Sequence, residues 1–279
     1  MCENVEPLRA IMIEISTIML LITSVACVFL LVIGITLMIL AKRLGIFYQL
    51  KHSVHDTSER HGGELVAQTL KEHGVKFIFT LVGGHISPIL VAAEKCGIRV
   101  VDTRHEATAV FAADAVARLS GSVGVAAVTA GPGLTNSVTA VKNAQMAESP
   151  VLLISGASAS ILKGRGALQD IDQMSLLKSL CKFTASVTTV RDIISTLKKA
   201  IKVSQSGTPG PVFIEFPIDV LYPYHIVKKE IGLKEAKTLT HQITNWYLQK
   251  YLDNIFAGGF EQHDMTPLPV EILQANQNK

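Results

Sequence analysis

The chain has 279 residues, 48% of them hydrophobic and 18% charged, with a mean hydropathy of +0.36 and a formal net charge of +3. That length holds one large domain or two small ones and excludes a multidomain enzyme, while so apolar a composition excludes a disordered chain and points to a membrane-embedded piece. With 26 Lys and Arg against 23 Asp and Glu, there is no basic excess to neutralise phosphates, so no nucleic acid partner is expected.

The apolar excess is concentrated near the N-terminus. Residues 1–14 carry Glu3, Glu6 and Glu14 against Arg9, and residues 15–41, from Ile15 to Ala41, contain no charge at all. As a helix these 27 residues would reach about 40 Å, enough to cross a hydrocarbon core of roughly 30 Å with some tilt. Sixteen of them are Leu, Ile, Val or Phe, each favouring insertion by about 0.3–0.6 kcal/mol at the helix centre. A cleaved secretory signal would need a basic leader, a shorter apolar run and a small-residue cleavage site, and none is present. Lys42, Arg43 and Lys51 follow the span, so the positive-inside rule predicts a single-pass anchor with a lumenal N-terminus and a cytosolic body. Cys2, Cys27, Cys96 and Cys181 are scattered without a C-x-x-C, which fits a reducing compartment and indicates no zinc site or disulfide framework. His52, His55 and His61 have no partners at metal-ligand spacing.

After a juxtamembrane linker over residues 42–61, residues 62–225 alternate strand and helix. The apolar runs Lys76 to Val82, Ile98 to Asp102, Val123 to Thr129, Val151 to Ser155 and Pro211 to Phe216 predict strands, with Phe183 to Val187 a weaker one. Helical spacing covers Glu64 to His73, Pro88 to Cys96, Ala107 to Leu119, Leu134 to Ala147, Ile171 to Leu180 and Val190 to Ser204, with Ser87 as an N-cap before Pro88 at the first helical position. Apolar strands alternating with helices predict an α/β fold with a parallel, doubly wound sheet covered on both faces. Ligands then bind beyond the carboxyl ends of the strands, where the chain reads GGHISP, TRHE, AGPGLTN and GASAS. Residues 226–279 read as a charged linker and one helix, Leu239 to Phe256, with Ile243, Trp246, Tyr247 and Leu252 as an apolar stripe.

Two of these joints carry two readings each. Thr103 to Glu106 fits the capping box, in which Glu106 reaches back to the Thr103 backbone N–H; it also places a carboxyl at the end of a parallel strand, desolvated for proton transfer. The turn Ala130 to Asn136 is either ordinary turn chemistry or phosphate capture at a helix N-terminus. His85, after Gly83 and Gly84, is a proton donor or a polar turn residue.

In combination, LVGGHISP, VVDTRHE, VGVAAVTAGPGLTN, GALQDIDQ and GTPGPVFIEFPIDVLYP resemble the N-terminal pyrimidine-binding domain of thiamine-diphosphate enzymes, within them the acetolactate synthase group and its 2-hydroxyacyl-CoA lyases. The resemblance implies that Glu106 is the catalytic glutamate that hydrogen-bonds the cofactor's aminopyrimidine ring and shares a proton with it. It implies that Gly131, Pro132, Gly133 and Asn136 form the turn beside that ring, displacing phosphate capture. Gln169 then matches a glutamine facing the active site, and Gly84 and His85 a loop bordering the substrate. The implied activity is cleavage of a 2-hydroxy fatty acyl-CoA into a shortened aldehyde and formyl-CoA by a homo-oligomer, dimer or tetramer, at the endoplasmic reticulum membrane; acetolactate synthase chemistry on pyruvate is the alternative. The implied cofactors are thiamine diphosphate and magnesium. In relatives, however, magnesium and the diphosphate are held by a GDG motif in a third domain, and this chain contains no Gly-Asp dipeptide. It is therefore expected to be a truncated form inactive alone, or a non-catalytic module that associates with a full-length subunit.

Overall fold

The computed structural model describes residues 5–54, 57–232 and 238–272, with side chains described from residue 12 onward except that of residue 13. Cys2, His55 and the polar ending after residue 272 lie outside the described residues, as does the middle of the charged linker at 233–237. The chain divides into two units, Met1–Lys51 and His52–Lys279.

The first unit is a 39-residue helix, α1 (Val5–Arg43), followed by the short α2 (Ile46–Gln49). Within α1, Glu14–Arg43 is long and apolar enough to cross a membrane, with a hydropathy of 2.9 and no burial against the rest of the protein. Its few hydroxyls bond back to the helix itself, Thr36 Oγ1 donating to the Val32 carbonyl at 2.8 Å and Ser24 Oγ to that of Leu21 at 2.8 Å. Such groups then need no water, as a hydrocarbon surrounding requires. Gly45, at φ 60°, breaks the helical path between the two elements.

The second unit is a six-stranded, wholly parallel sheet with helices on both faces. In chain order it contains α3 (Gly62–Glu72), β1 (Phe77–Thr80), α4 (Ser87–Lys95), β2 (Arg99–Asp102), α5 (Glu106–Ser120) and β3 (Gly124–Val128). There follow α6 (Pro132–Thr135), α7 (Val138–Met146), β4 (Val151–Ala157), α8 (Gln173–Leu177) and β5 (Phe183–Ser186). Then come α9 (Ile193–Gln205), β6 (Val212–Pro217), α10 (Ile218–Leu221), α11 (Tyr224–Ile231) and α12 (Leu239–Phe256). The spatial order is β2-β1-β3-β4-β6-β5, in register at Phe79 with Ala126, Ile154 with Ile214 and Phe183 with Val212. The chain therefore steps outward from β1 to β2 and returns across β1 to β3, which makes the β1–β3 pair the switch point where such sheets bind ligands.

Period-two alternation builds two cores. Val125, Ala127, Leu152, Ile154, Val212 and Ile214 face one side and pack with Leu65 and Leu70 of α3, Ile89 of α4 and Leu197 and Ile201 of α9. Ala126, Val128, Leu153 and Phe213 face the other and pack with Val110 and Ala113 of α5 and Val141 of α7. All of these side chains are shielded from water, each large one stabilising the fold by about 1.5–3 kcal/mol.

The expected strands all form, and Phe183–Ser186 is a full edge strand. Four local expectations change. β4 continues through Gly156 to Ala157, because Ser155, Gly156 and Ala157 pair with Glu215, Phe216 and Pro217 of β6. The helix expected from Leu134 to Ala147 is two, broken at Asn136 and Ser137. Ser87 is not an N-cap: Ile86 holds that position, and the Ser87 hydroxyl donates instead to the Gly83 carbonyl. The stripe on α12 is split, since Leu252, Ile255 and Phe256 enter the core while Ile243, Trp246 and Tyr247 are exposed. α11 precedes it, with Tyr224 and Val227 in the same core.

Candidate functional site

Glu106 begins α5 at the carboxyl end of β2, and it is 6% exposed. The capping-box geometry does not occur. His105 is the N-cap, its Nδ1 accepting the Ala107 backbone N–H at 3.1 Å. Thr103 is spent elsewhere, its hydroxyl donating to the Thr80 carbonyl at 3.0 Å and so tying the ends of β1 and β2 together. Glu106, as the first helical residue rather than the third, turns its side chain inward toward the turn after β3. There Asn136 Nδ2 donates to Glu106 Oε2 at 3.0 Å.

That turn is shaped by two glycines. Gly131 has φ 62° and ψ −112°, a conformation that L side chains avoid, and a Cβ there would stand 2.8 Å from the Gln169 carbonyl oxygen. Gly133 has ordinary helical space, but a Cβ on it would stand 2.7 Å from Thr129 Cγ2 and 3.5 Å from Glu106 Oε1. The missing side chain lets Thr129 Cγ2 pack against the turn beside the carboxyl. Pro132 and Asn136 are exposed on the outer side of the turn. Phosphate capture is not supported: α6 is a single turn of four residues without a basic side chain.

The structure thus brings together Glu106, Gly131, Gly133 and Asn136, with Pro132 between them. Gln169, at φ 63°, packs its backbone on Gly131. His85 lies across the switch point, its Nδ1 3.3 Å from Thr129 Oγ1, and burial holds its imidazole below the ordinary histidine range. The Gly84 carbonyl accepts from the Tyr222 hydroxyl at 3.0 Å, fixing the loop after β1. Beneath the turn lies a polar group that sequence reasoning passed over: buried Gln173 of α8 and Glu215 of β6, with exposed Lys163 of the loop after β4 paired to Glu215. Its one sequence signal is an acid, Glu215, inside the otherwise apolar run VFIEF. Among the described residues no group of three or more His, Cys, Asp or Glu stands ready to hold a metal ion. The described cysteines, Cys27, Cys96 and Cys181, are free, and burial pushes the Cys181 thiol up to about 12, which leaves it inert.

Glu106 Oε1 stands beside Gly133, where a planar group bearing a nitrogen could meet the carboxyl; the chemistry of the described residues at this turn offers no basic side chain for a diphosphate and no cluster of ligand groups for a metal.

Residues 60–176 match the family described as thiamine pyrophosphate enzyme, N-terminal TPP binding domain. The chain is 69% identical to 2-hydroxyacyl-CoA lyase 2 of Danio rerio over 238 residues, covering 85% of this chain and 38% of that protein. It is 65% identical to the Homo sapiens protein of the same name over 237 residues, with the same shares covered. A probable acetolactate synthase of Mycobacterium bovis is 37% identical over 159 residues, 57% of this chain and 29% of that protein. The chain spans 38% of the length of the two lyase relatives. Its residues 60–176 are thus similar to the N-terminal, cofactor-binding domain of thiamine pyrophosphate enzymes, and most of the chain is similar to a part of the 2-hydroxyacyl-CoA lyase 2 proteins.

Proposed function

We propose that this chain is the membrane-anchored, aminopyrimidine-binding part of a 2-hydroxyacyl-CoA lyase that cleaves a 2-hydroxy fatty acyl-CoA into a shortened aldehyde and formyl-CoA. The observation that carries it is Glu106, buried after β2 and held by Asn136 of the turn after β3 through one oxygen, with its other oxygen beside Gly133. When bound, thiamine diphosphate supplies the electron sink for carbon–carbon cleavage. The chain's own residues hold and orient. Asn136 keeps Glu106 Oε2 engaged as an acceptor, so Oε1 is the atom at which Glu106 exchanges a proton with a ring nitrogen. Gly131 and Gly133 admit the ring against the backbone, and Pro132 stiffens the turn between them. His85, Gly84 and Gln169 border the substrate side, with His85 neutral at pH 7. The diphosphate and magnesium are assigned to residues other than those described.

The higher identity to the lyases than to the acetolactate synthase favours acyl-CoA over pyruvate, and a long apolar helix suits a substrate that partitions into lipid. The same reading places the chain in the endoplasmic reticulum membrane, with Lys42, Arg43 and Lys51 on the cytosolic side, and in a dimer or tetramer. Titration of the full chain with thiamine diphosphate and magnesium, followed by near-ultraviolet circular dichroism, tests it. Glu106→Gln is expected to weaken binding by about 10-fold to 100-fold, the loss of one hydrogen bond involving a charged group; equal binding by wild type and variant rejects the assignment. Formyl-CoA rather than acetolactate is the expected product of the anchored enzyme.

A further inference from the structure

Gln173, 2% exposed, has its whole amide engaged. Nε2 donates to the Gly156 carbonyl at 3.1 Å and to Glu215 Oε2 at 2.9 Å. Oε1 accepts from the Gly131 backbone N–H at 3.0 Å and lies 3.3 Å from Ser155 Oγ, whose single proton also has the Gly156 carbonyl within 2.8 Å. Two donors and two lone pairs are all that an amide offers. Glu215 is 1% exposed, and its other oxygen pairs with the Lys163 ammonium. This carboxylate decides which way the amide faces. With the amide flipped, its oxygen would meet the carboxylate and its NH₂ would meet the Gly131 N–H, and both bonds would become repulsions.

We infer that Gln173 is a positioning residue for the turn at Gly131, with the Lys163–Glu215 pair setting the direction of its amide. The inference rests on the reading of that turn given under Proposed function. Gly131 occupies backbone space that a chain does not favour unaided, and the Gln173 carbonyl holds it there. Through Pro132 to Asn136 the same anchor keeps the Asn136 amide on Glu106, so a residue that does not touch Glu106 fixes the register of the turn against it. The titratable groups beside Gln173 are Lys163, Asp170, Asp172 and Glu215, which line with it a cavity of about 330 Å³.

Residue-resolved amide hydrogen exchange on the full chain, without cofactor, tests this. Gln173→Leu is expected to lower the protection of the Gly131 N–H about tenfold, as the loss of one buried hydrogen bond does, while Leu152 to Ile154 of β4 and Phe213 of β6 keep theirs. Gln173→Glu keeps an acceptor for Gly131 and serves if the leucine variant fails to fold. It sets two carboxyls face to face, which cannot both ionise at that separation. Protection at Gly131 is expected to be lower than in the wild type at neutral pH and to recover on acidification, whereas the wild type shows no such change. Lys163→Met with Glu215→Gln removes the charge pair that sets the amide's direction and is expected to lower protection at Gly131. Unchanged protection at Gly131 in these variants overturns the inference, and so does a loss spread evenly over β3, β4 and β6, which a merely structural residue would give. Failure of the thiamine diphosphate titration with the Gly131 response intact overturns the cofactor reading and leaves the positioning role standing.

Discussion

Gly133 and Thr129 form the wall beside Glu106, and their contact defines a double-mutant cycle. A Cβ at Gly133 would stand 2.7 Å from Thr129 Cγ2, about 1 Å inside normal carbon–carbon contact. Overpacking of this kind costs about 1–3 kcal/mol, whereas alanine in place of glycine in a helical turn gains about 1 kcal/mol. Gly133→Ala alone is therefore expected to leave stability unchanged or lower it by up to about 2 kcal/mol. Thr129→Ser removes Cγ2 and keeps the hydroxyl that faces His85. In that background Gly133→Ala is expected to stabilise by about 0.5–1 kcal/mol. The difference, a coupling of about 1–3 kcal/mol, is read from denaturant unfolding of the four full-length proteins in detergent by far-ultraviolet circular dichroism. Equal effects of Gly133→Ala in both backgrounds, within about 0.5 kcal/mol, would refute the close approach of Gly133 and Thr129 beside Glu106.

Phe213→Ala removes a fully buried ring between β6 and the α5–α7 layer and should cost about 3–5 kcal/mol in unfolding free energy, against less than about 0.5 kcal/mol for a substitution at exposed Lys199. Burial lowers the imidazole pKa of His61, His73 and His85 below the ordinary histidine value of 6.5, so the unfolded chain binds more protons than the folded one below about pH 6.5. Stability should then be full above that pH and fall as pH drops toward 5.5; a melting temperature that rises on acidification contradicts this, and His73→Gln should flatten the slope. In sealed microsomes, added protease should digest the body that follows Lys42, and its protection would reverse the orientation given to the anchor.

How much of this was legible in the sequence depended on how far the deciding contact lay along the chain. The strand runs VGVAAVT and VLLIS were legible because two-sided burial makes them continuously apolar, and turn residues mark their ends. The fate of Thr103 was not, since its hydroxyl is claimed by Thr80, 23 positions earlier, and this tertiary bond leaves the cap to His105. Local pattern matched the capping box but could not weigh that competitor. The break at Asn136 was equally hidden, because its side chain is drawn to Glu106 across 30 positions. Glu106 itself stood out only through its place after a strand and through family resemblance; spacing alone left two readings open. Gln173 and Glu215, 42 positions apart, show no pairing in the sequence, and only the fold brings them beneath Gly131.

The central claim is that Glu106 and the Gly131–Asn136 turn receive the aminopyrimidine ring. The most direct measurement is amide hydrogen exchange over Ala130 to Asn136 in the full chain, with and without thiamine diphosphate and magnesium, in wild type and in Glu106→Gln. The account predicts slower exchange on addition of cofactor in the wild type and no slowing in the variant. Exchange that stays unchanged in the wild type, or slows equally in both proteins, would contradict it.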